Sequence, residues 1–197
     1  MKKLILILPL LFGTLLYGQS ENGIHQGMVR FQGTAALGFE TSNKVYENGE
    51  QRYYVYGEVE YLLSDHLGIN GAFFANLGSS EKIVLTRGAD PSEDGYVHST
   101  FAGPIYHFLP QQALDLYVGI QPGFSYSTVH TTAANDGVIS ESQFGPAGSV
   151  LTGAAYYGSF FHLFAQARYV ASTFSSNSAQ RNFNDLRLCI GLGFNFN

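Results

Sequence analysis

The chain has 197 residues, enough for one domain, with 45% hydrophobic and 13% charged residues and a net charge of −5. That balance excludes a basic nucleic-acid surface, and the single cysteine, Cys189, excludes an internal disulfide framework. Twenty-three glycines, thirteen tyrosines and sixteen phenylalanines, without a tryptophan, suit closely spaced strands with aromatic ends.

Residues 1–18 read as a secretion signal. Lys2 and Lys3 form a charged start, Leu4 to Leu16 is an apolar run interrupted by Pro9 and Gly13, and Gly18 offers a small residue before Gln19. The run is shorter than the ~20 residues a membrane-spanning helix needs. No cysteine follows it, which argues against a lipid-anchored form. Removal of Lys2 and Lys3 leaves eight bases against fifteen acids, a net charge of −7. The remainder, 19–197, is one domain.

From residue 27 onward the chain divides into segments that alternate apolar and polar positions. The first, 27–40, sets Val29, Phe31, Gly33, Ala35, Leu37 and Phe39 against Arg30, Gln32, Thr34, Ala36, Gly38 and Glu40. The second, 51–63, sets Tyr53, Val55, Gly57, Val59, Tyr61 and Leu63 against Arg52, Tyr54, Tyr56, Glu58, Glu60 and Leu62. A turn at Ser64-Asp65 leads to the third, 66–78, whose apolar set is Leu67, Ile69, Gly71, Phe73, Ala75 and Leu77. The polar stretch 79–95 reads as a loop, with Ile83-Val84-Leu85 able to extend the strands. The fourth segment, 96–109, ends at Pro110-Gln111-Gln112, and the fifth, 113–129, presents Leu114, Leu116, Val118, Ile120, Phe124 and Tyr126. A second polar loop is expected over 130–143. In the sixth segment, 144–157, small residues blur the alternation. The seventh, 160–174, presents Phe161, Leu163, Ala165, Ala167 and Tyr169. After a loop at 175–182, the eighth, 183–196, presents Leu186, Leu188, Ile190, Leu192, Phe194 and Phe196.

In seven of these eight segments one parity carries no Asp, Glu, Lys or Arg. Successive strand residues point to opposite faces, so each such strand has one face in an apolar medium and the other in a polar one. The connections also alternate, short after segments 2, 4 and 6 and longer after 1, 3, 5 and 7. Both patterns predict an all-β fold: an eight-stranded antiparallel up-and-down transmembrane β-barrel in a bacterial outer membrane. A lipid-facing Lys or Arg at mid-membrane costs ~2–4 kcal/mol, which explains the cleared faces. Tyr61, Tyr157, Phe161 and Phe196 are expected near the short-turn end of the outer surface, and Phe39, Tyr53 and Tyr126 near the other. Pro104 and Pro122 each remove a ladder bond and predict bulges.

The C-terminal pattern Gly191-x-x-Phe194-x-Phe196 resembles the signal read by the outer-membrane barrel assembly machinery, with Cys189 where a polar residue is usual and one Asn after the last aromatic. Leu63-Ser64-Asp65-His66-Leu67-Gly68 and Phe101-Ala102-Gly103-Pro104-Ile105-Tyr106 are similar to strand-turn segments of the small outer-membrane β-barrel family, that of OmpX and the OmpA transmembrane domain. The resemblance covers the chain after the signal. It implies outer-membrane lipid and lipopolysaccharide around the barrel and leaves no room for a peptidoglycan-binding domain.

The opposite parity carries the candidate site: Arg30, Arg52, Glu58, Glu60, Asp115, Arg168, Asp185 and Arg187. An eight-stranded barrel has an interior that side chains fill, and buried charges must pair. If Glu40 lies near Arg52, Arg30 falls low in the lumen and diagonal to Glu60, while Arg168 and Arg187 could both meet Glu58. A salt-bridged structural plug follows; a narrow channel in which the pairs rearrange is the alternative. The six histidines lack metal-ligand spacing, with His107 expected near an interface, and no cofactor is implied. A lipid A-modifying enzyme needs a nucleophile beside a base, but His98 and Ser99 are adjacent and point apart. Loops 79–95 and 130–143 are candidates for an extracellular partner. At the eighth segment, Leu188→Arg is expected to impair assembly far more than Gly191→Ser.

Overall fold

The computed structural model describes residues 23–41, 51–79, 93–133, 137–175 and 180–196. The segment read as a secretion signal lies outside them, as does most of loop 79–95. Eight strands follow in order: β1 (Val29–Glu40), β2 (Gln51–Leu62), β3 (Leu67–Ser79), β4 (Glu93–His107), β5 (Leu114–Ala133), β6 (Gly137–Tyr157), β7 (Phe161–Ser175) and β8 (Gln180–Phe196). Each pairs antiparallel with its chain neighbour, and β1 pairs with β8 to close the barrel. Closure leaves no free edge through the paired belt.

Alternation sorts the side chains as two media would. Phe31, Val55, Ile69, Phe124 and Leu188 lie on the outer surface, and Ile190 there is 76% exposed. Arg30, Glu58, Tyr56, Phe74 and Arg168 on the other parity are buried inside. Across the wall, Phe31 meets Phe196 edge to face with centroids 5.5 Å apart, fixing the β1–β8 seam on its outer side.

The short-turn end is capped by the residues before β1. Ile24, 1% exposed, donates its backbone N–H to the Pro110 carbonyl at 2.8 Å. Gly27 turns the chain into β1 with φ of 88°, a conformation that suits a residue without Cβ, and its N–H bonds the Leu62 carbonyl at 2.9 Å.

Four sequence expectations need correction. Most of 130–143 is strand rather than loop: the β5–β6 ladder runs out to Ala133 opposite Gly137. Thr128, Val129, Thr131, Thr132, Val138 and Ile139 favour extended backbone, and a hairpin beyond the lipid has no need of an apolar outer face. Likewise β4 already begins at Glu93, inside the expected first loop. Tyr157, expected on the outer girdle, is buried inside at 2% exposure, on the same parity as Ser149, Leu151 and Ala155. Pro104 and Pro122 do not create bulges. Between Phe101↔Gly123 and Ile105↔Gly119 the β4–β5 ladder opens and resumes in the same register, so the missing N–H groups cost bonds but no residue is inserted. The register does shift in β2–β3, between Tyr53 and Tyr54.

Candidate functional site

The barrel wall buries all eight of these residues inside, and two of the arginines, Arg30 and Arg187, pair more locally than the sequence implied. Arg30 and Glu60 are directly opposite across β1–β2, not diagonal, with Arg30 Nη1 donating to Glu60 Oε2 at 2.8 Å. Arg52 reaches Glu40 at 3.2 Å near the far end of the lumen. Arg168 crosses the barrel from β7 to Glu58 on β2 at 3.0 Å. Arg187 does not join it there. Its Nε binds both carboxylate oxygens of Asp185, two residues before it on the same face, at 3.1 and 2.9 Å. Asp185 also accepts the Tyr54 hydroxyl proton at 2.8 Å.

Arg168 and Arg187 sit directly opposite each other across β7–β8, an arrangement that repels unless each has its own counter-ion. They diverge, one to Glu58 and the other to Asp185, and the Phe74 ring lies within 5.4 Å of Arg168 and 4.6 Å of Arg187. Arg187 also lies 4.3 Å from the centre of the Tyr54 ring, and Arg168 5.4 Å from that of Phe101. Aromatic faces carry negative potential, so these rings receive the cations while filling the interior.

Glu58 is the hub. Besides Arg168 it accepts from Gln32 Nε2 and from the Tyr56 hydroxyl. Arg168 Nη1 donates to Gln121 Oε1 and to Ser149 Oγ, and Gln121 Nε2 in turn donates to Asn70 Oδ1 at 2.9 Å. These links join β1, β2, β3, β5, β6 and β7 across the middle of the lumen. Towards the long-loop end, Val97, Phe174 and Phe183 form a separate apolar cluster, with Arg52 5.0 Å from the Phe183 ring.

Two histidines belong to this interior, and only one was legible. His162 falls on the charged parity of β7; it contacts Asn195 Oδ1 at 2.7 Å and Gln32 Oε1 at 3.1 Å. His107, expected near an interface, is fully buried. Its Nε2 lies 2.9 Å from Glu60 Oε1 and its Nδ1 2.5 Å from Asp115 Oδ2. The fourth segment carries no charge on either parity, so nothing in the sequence marked its inward face. Cys189 faces the lumen and is buried. His98 and Ser99 fall on opposite faces: Ser99 accepts from Arg187 inside, and His98 stacks on Tyr126 outside.

No family model and no curated protein matches the sequence. Solved structures do match. Neisserial surface protein A is 19% identical, with 87% of this chain and 100% of that chain covered and a TM-score of 0.61. This chain has the fold of the small eight-stranded outer-membrane β-barrels. Ail of Yersinia pestis, solved with the heparin analogue sucrose octasulfate, is 17% identical over 87% of this chain and 99% of its own, with a TM-score of 0.55. OprG of Pseudomonas aeruginosa is 13% identical over 88% and 98%, with a TM-score of 0.52. At such identities the outer-membrane barrels share the path of the wall; the lumen chemistry belongs to this chain.

Proposed function

We propose that this chain is exported through its first 18 residues and sits in the outer membrane as a non-enzymatic barrel. Its lumen is a structural plug, and its function is carried by the strands and loops that reach outside. One observation carries the reading: an uncharged apolar belt surrounds a buried core of Arg and acidic pairs, the inverse of a soluble ligand-binding barrel. Lipid and lipopolysaccharide contact the belt, whose outer end holds Tyr53, Tyr126 and Tyr169. Gly191, Phe194 and Phe196 present the assembly signal from the strand that closes the wall.

Several features support a plug over a pore. Arg30, Arg168 and Arg187 are each buried and ion-paired, and Tyr54, Tyr56, Phe74, Phe101, Tyr117 and Tyr157 fill space between them. The separation of His98 from Ser99 weakens a lipid A-modifying reading, since nucleophile and base must share a face. For the partner, the strand-rich segment 130–143 and the stretch 79–95 are the candidates. The latter holds four acids against two bases, which does not suit a sulfated polyanion.

Gel mobility of purified outer membranes, with and without boiling, tests the placement. A stable embedded barrel shifts on boiling. Soluble periplasmic protein without a shift would overturn the reading.

A further inference from the structure

Counting charges in the lumen leaves an imbalance. At the short-turn end of the described lumen, Arg30 faces two buried acids, Glu60 and Asp115, one cation against two anions. A buried uncompensated carboxylate is costly, and of the two buried histidines His107 is the one placed against carboxylates. His107 has a carboxylate oxygen at each ring nitrogen, Glu60 at 2.9 Å and Asp115 at 2.5 Å. An amide partner could be rotated to offer a donor; a carboxylate cannot. With both carboxyls ionised, both ring nitrogens donate.

We propose that His107 is held as the imidazolium, a second cation beside Arg30, and that its proton latches the cap over the short-turn end. The groups facing it are Arg30 on β1, Glu60 on β2, and Asp115 with Tyr117 on β5, whose ring lies 5.8 Å away. From β6, Tyr157 covers Arg30 at 5.2 Å. The His66 ring, beside the β2–β3 turn, meets the backbone carbonyl of His107 at 2.8 Å and stacks on Tyr106.

The connection to the cap is continuous. Asp115 binds His107 through Oδ2 and accepts the Leu109 backbone N–H through Oδ1 at 3.1 Å. That fixes the start of the turn whose Pro110 carbonyl holds Ile24 N–H at 2.8 Å, with the Ile24 side chain buried beneath. When the proton leaves for water, Glu60 keeps Arg30, and Asp115 loses the cation bonded to it. The relief open to Asp115 is to turn towards water at this end, which releases Leu109 and then Ile24.

The test uses the full chain in lipid nanodiscs, with 15N-labelled histidine and 13C-methyl-labelled isoleucine. At neutral pH both His107 ring nitrogens should show the protonated signature by NMR; one bare nitrogen overturns the charge assignment. On raising the pH, the Ile24 methyl signal should move at the midpoint at which that signature is lost. A signature lost while the Ile24 methyl stays fixed overturns the latch. The double variant H107Q/D115N restores charge balance without a proton. Its Ile24 methyl should hold its buried position across the same titration, and the wild-type transition surviving in it would overturn the proposal.

Discussion

Arg168 shows at the scale of one residue why burial, distance and charge must be weighed together. Its guanidinium is fully buried, bonded to Glu58, Gln121 and Ser149, and flanked by Phe74 and Phe101. Arg168→Met keeps most of the volume but leaves Glu58 as an unpaired buried charge, which costs about 3–5 kcal/mol. Adding Glu58→Gln removes that charge, so R168M/E58Q should recover most of the loss. Urea unfolding of the folded protein in lipid vesicles measures both. A double variant no more stable than R168M would show that the Arg168 packing, not the ion pair, dominates. Parity placed both groups inside, but it could not tell that Arg187 turns to Asp185 instead of Glu58. That choice depends on closure, which sets Arg187 directly beside Arg168.

Among the elements, β8 closes the wall and joins a chain terminus to both β1 and β7. Phe194 pairs with Phe31 on β1 and Phe161 on β7, and Phe196 pairs with Val29. Deleting Phe194 to Asn197 removes these partners and leaves the start of β1 as an open edge. The truncated chain should accumulate unassembled; normal membrane insertion, measured by fractionation and the boiling shift, would refute the role of this strand end. Within β8 the structure alters the expected contrast between two substitutions. Leu188 faces outward, where arginine costs ~2–4 kcal/mol at mid-membrane. Gly191, expected to tolerate serine, has no room: a Cβ there would lie 2.6 Å from Thr34 Cβ and 3.0 Å from Phe164 Cε1. Neither neighbour is the far end of a flexible chain, and overpacking costs about 1–3 kcal/mol. Both L188R and G191S should therefore lower assembled yield in the outer membrane. A fully assembled G191S would mean that β1 and β7 can move apart at this point.

The elements also divide into those the sequence could reveal and those it could not. Strands with charges on one parity, such as β1, β2 and β8, announced their inward faces. β4 carries none over 96–109, and the small residues of β6 blurred its faces, so His107 and Tyr157 were misplaced. The stretch 130–143 is rich in polar residues and lacks a regular apolar alternation, and the ends of β5 and β6 therefore looked like loop.

For the molecule as a whole, the proposed plug depends on how side chains fill the lumen. Three layers of side chains cross it between the two ends. His107, Glu60 and Arg30 lie near the short turns, Glu58 and Arg168 at the middle, and Asp185, Arg187 and Tyr54 beyond. Small barrels of eight strands are narrow enough for side chains to fill, and here the aromatic rings occupy the space the ion pairs leave. An ion crossing would have to displace paired charges and rings together. The wild-type chain in a planar lipid bilayer should therefore give no stable unitary conductance. Replacing Tyr56, Phe74 and Tyr117 by alanine removes bulk at mid-lumen while sparing every ion pair, and that variant should conduct if its wall still forms. The boiling shift checks the wall independently of the current. Regular steps from the wild type would replace the plug with a gated pore, and the Arg30–Glu60 and Arg168–Glu58 pairs would then be its gates.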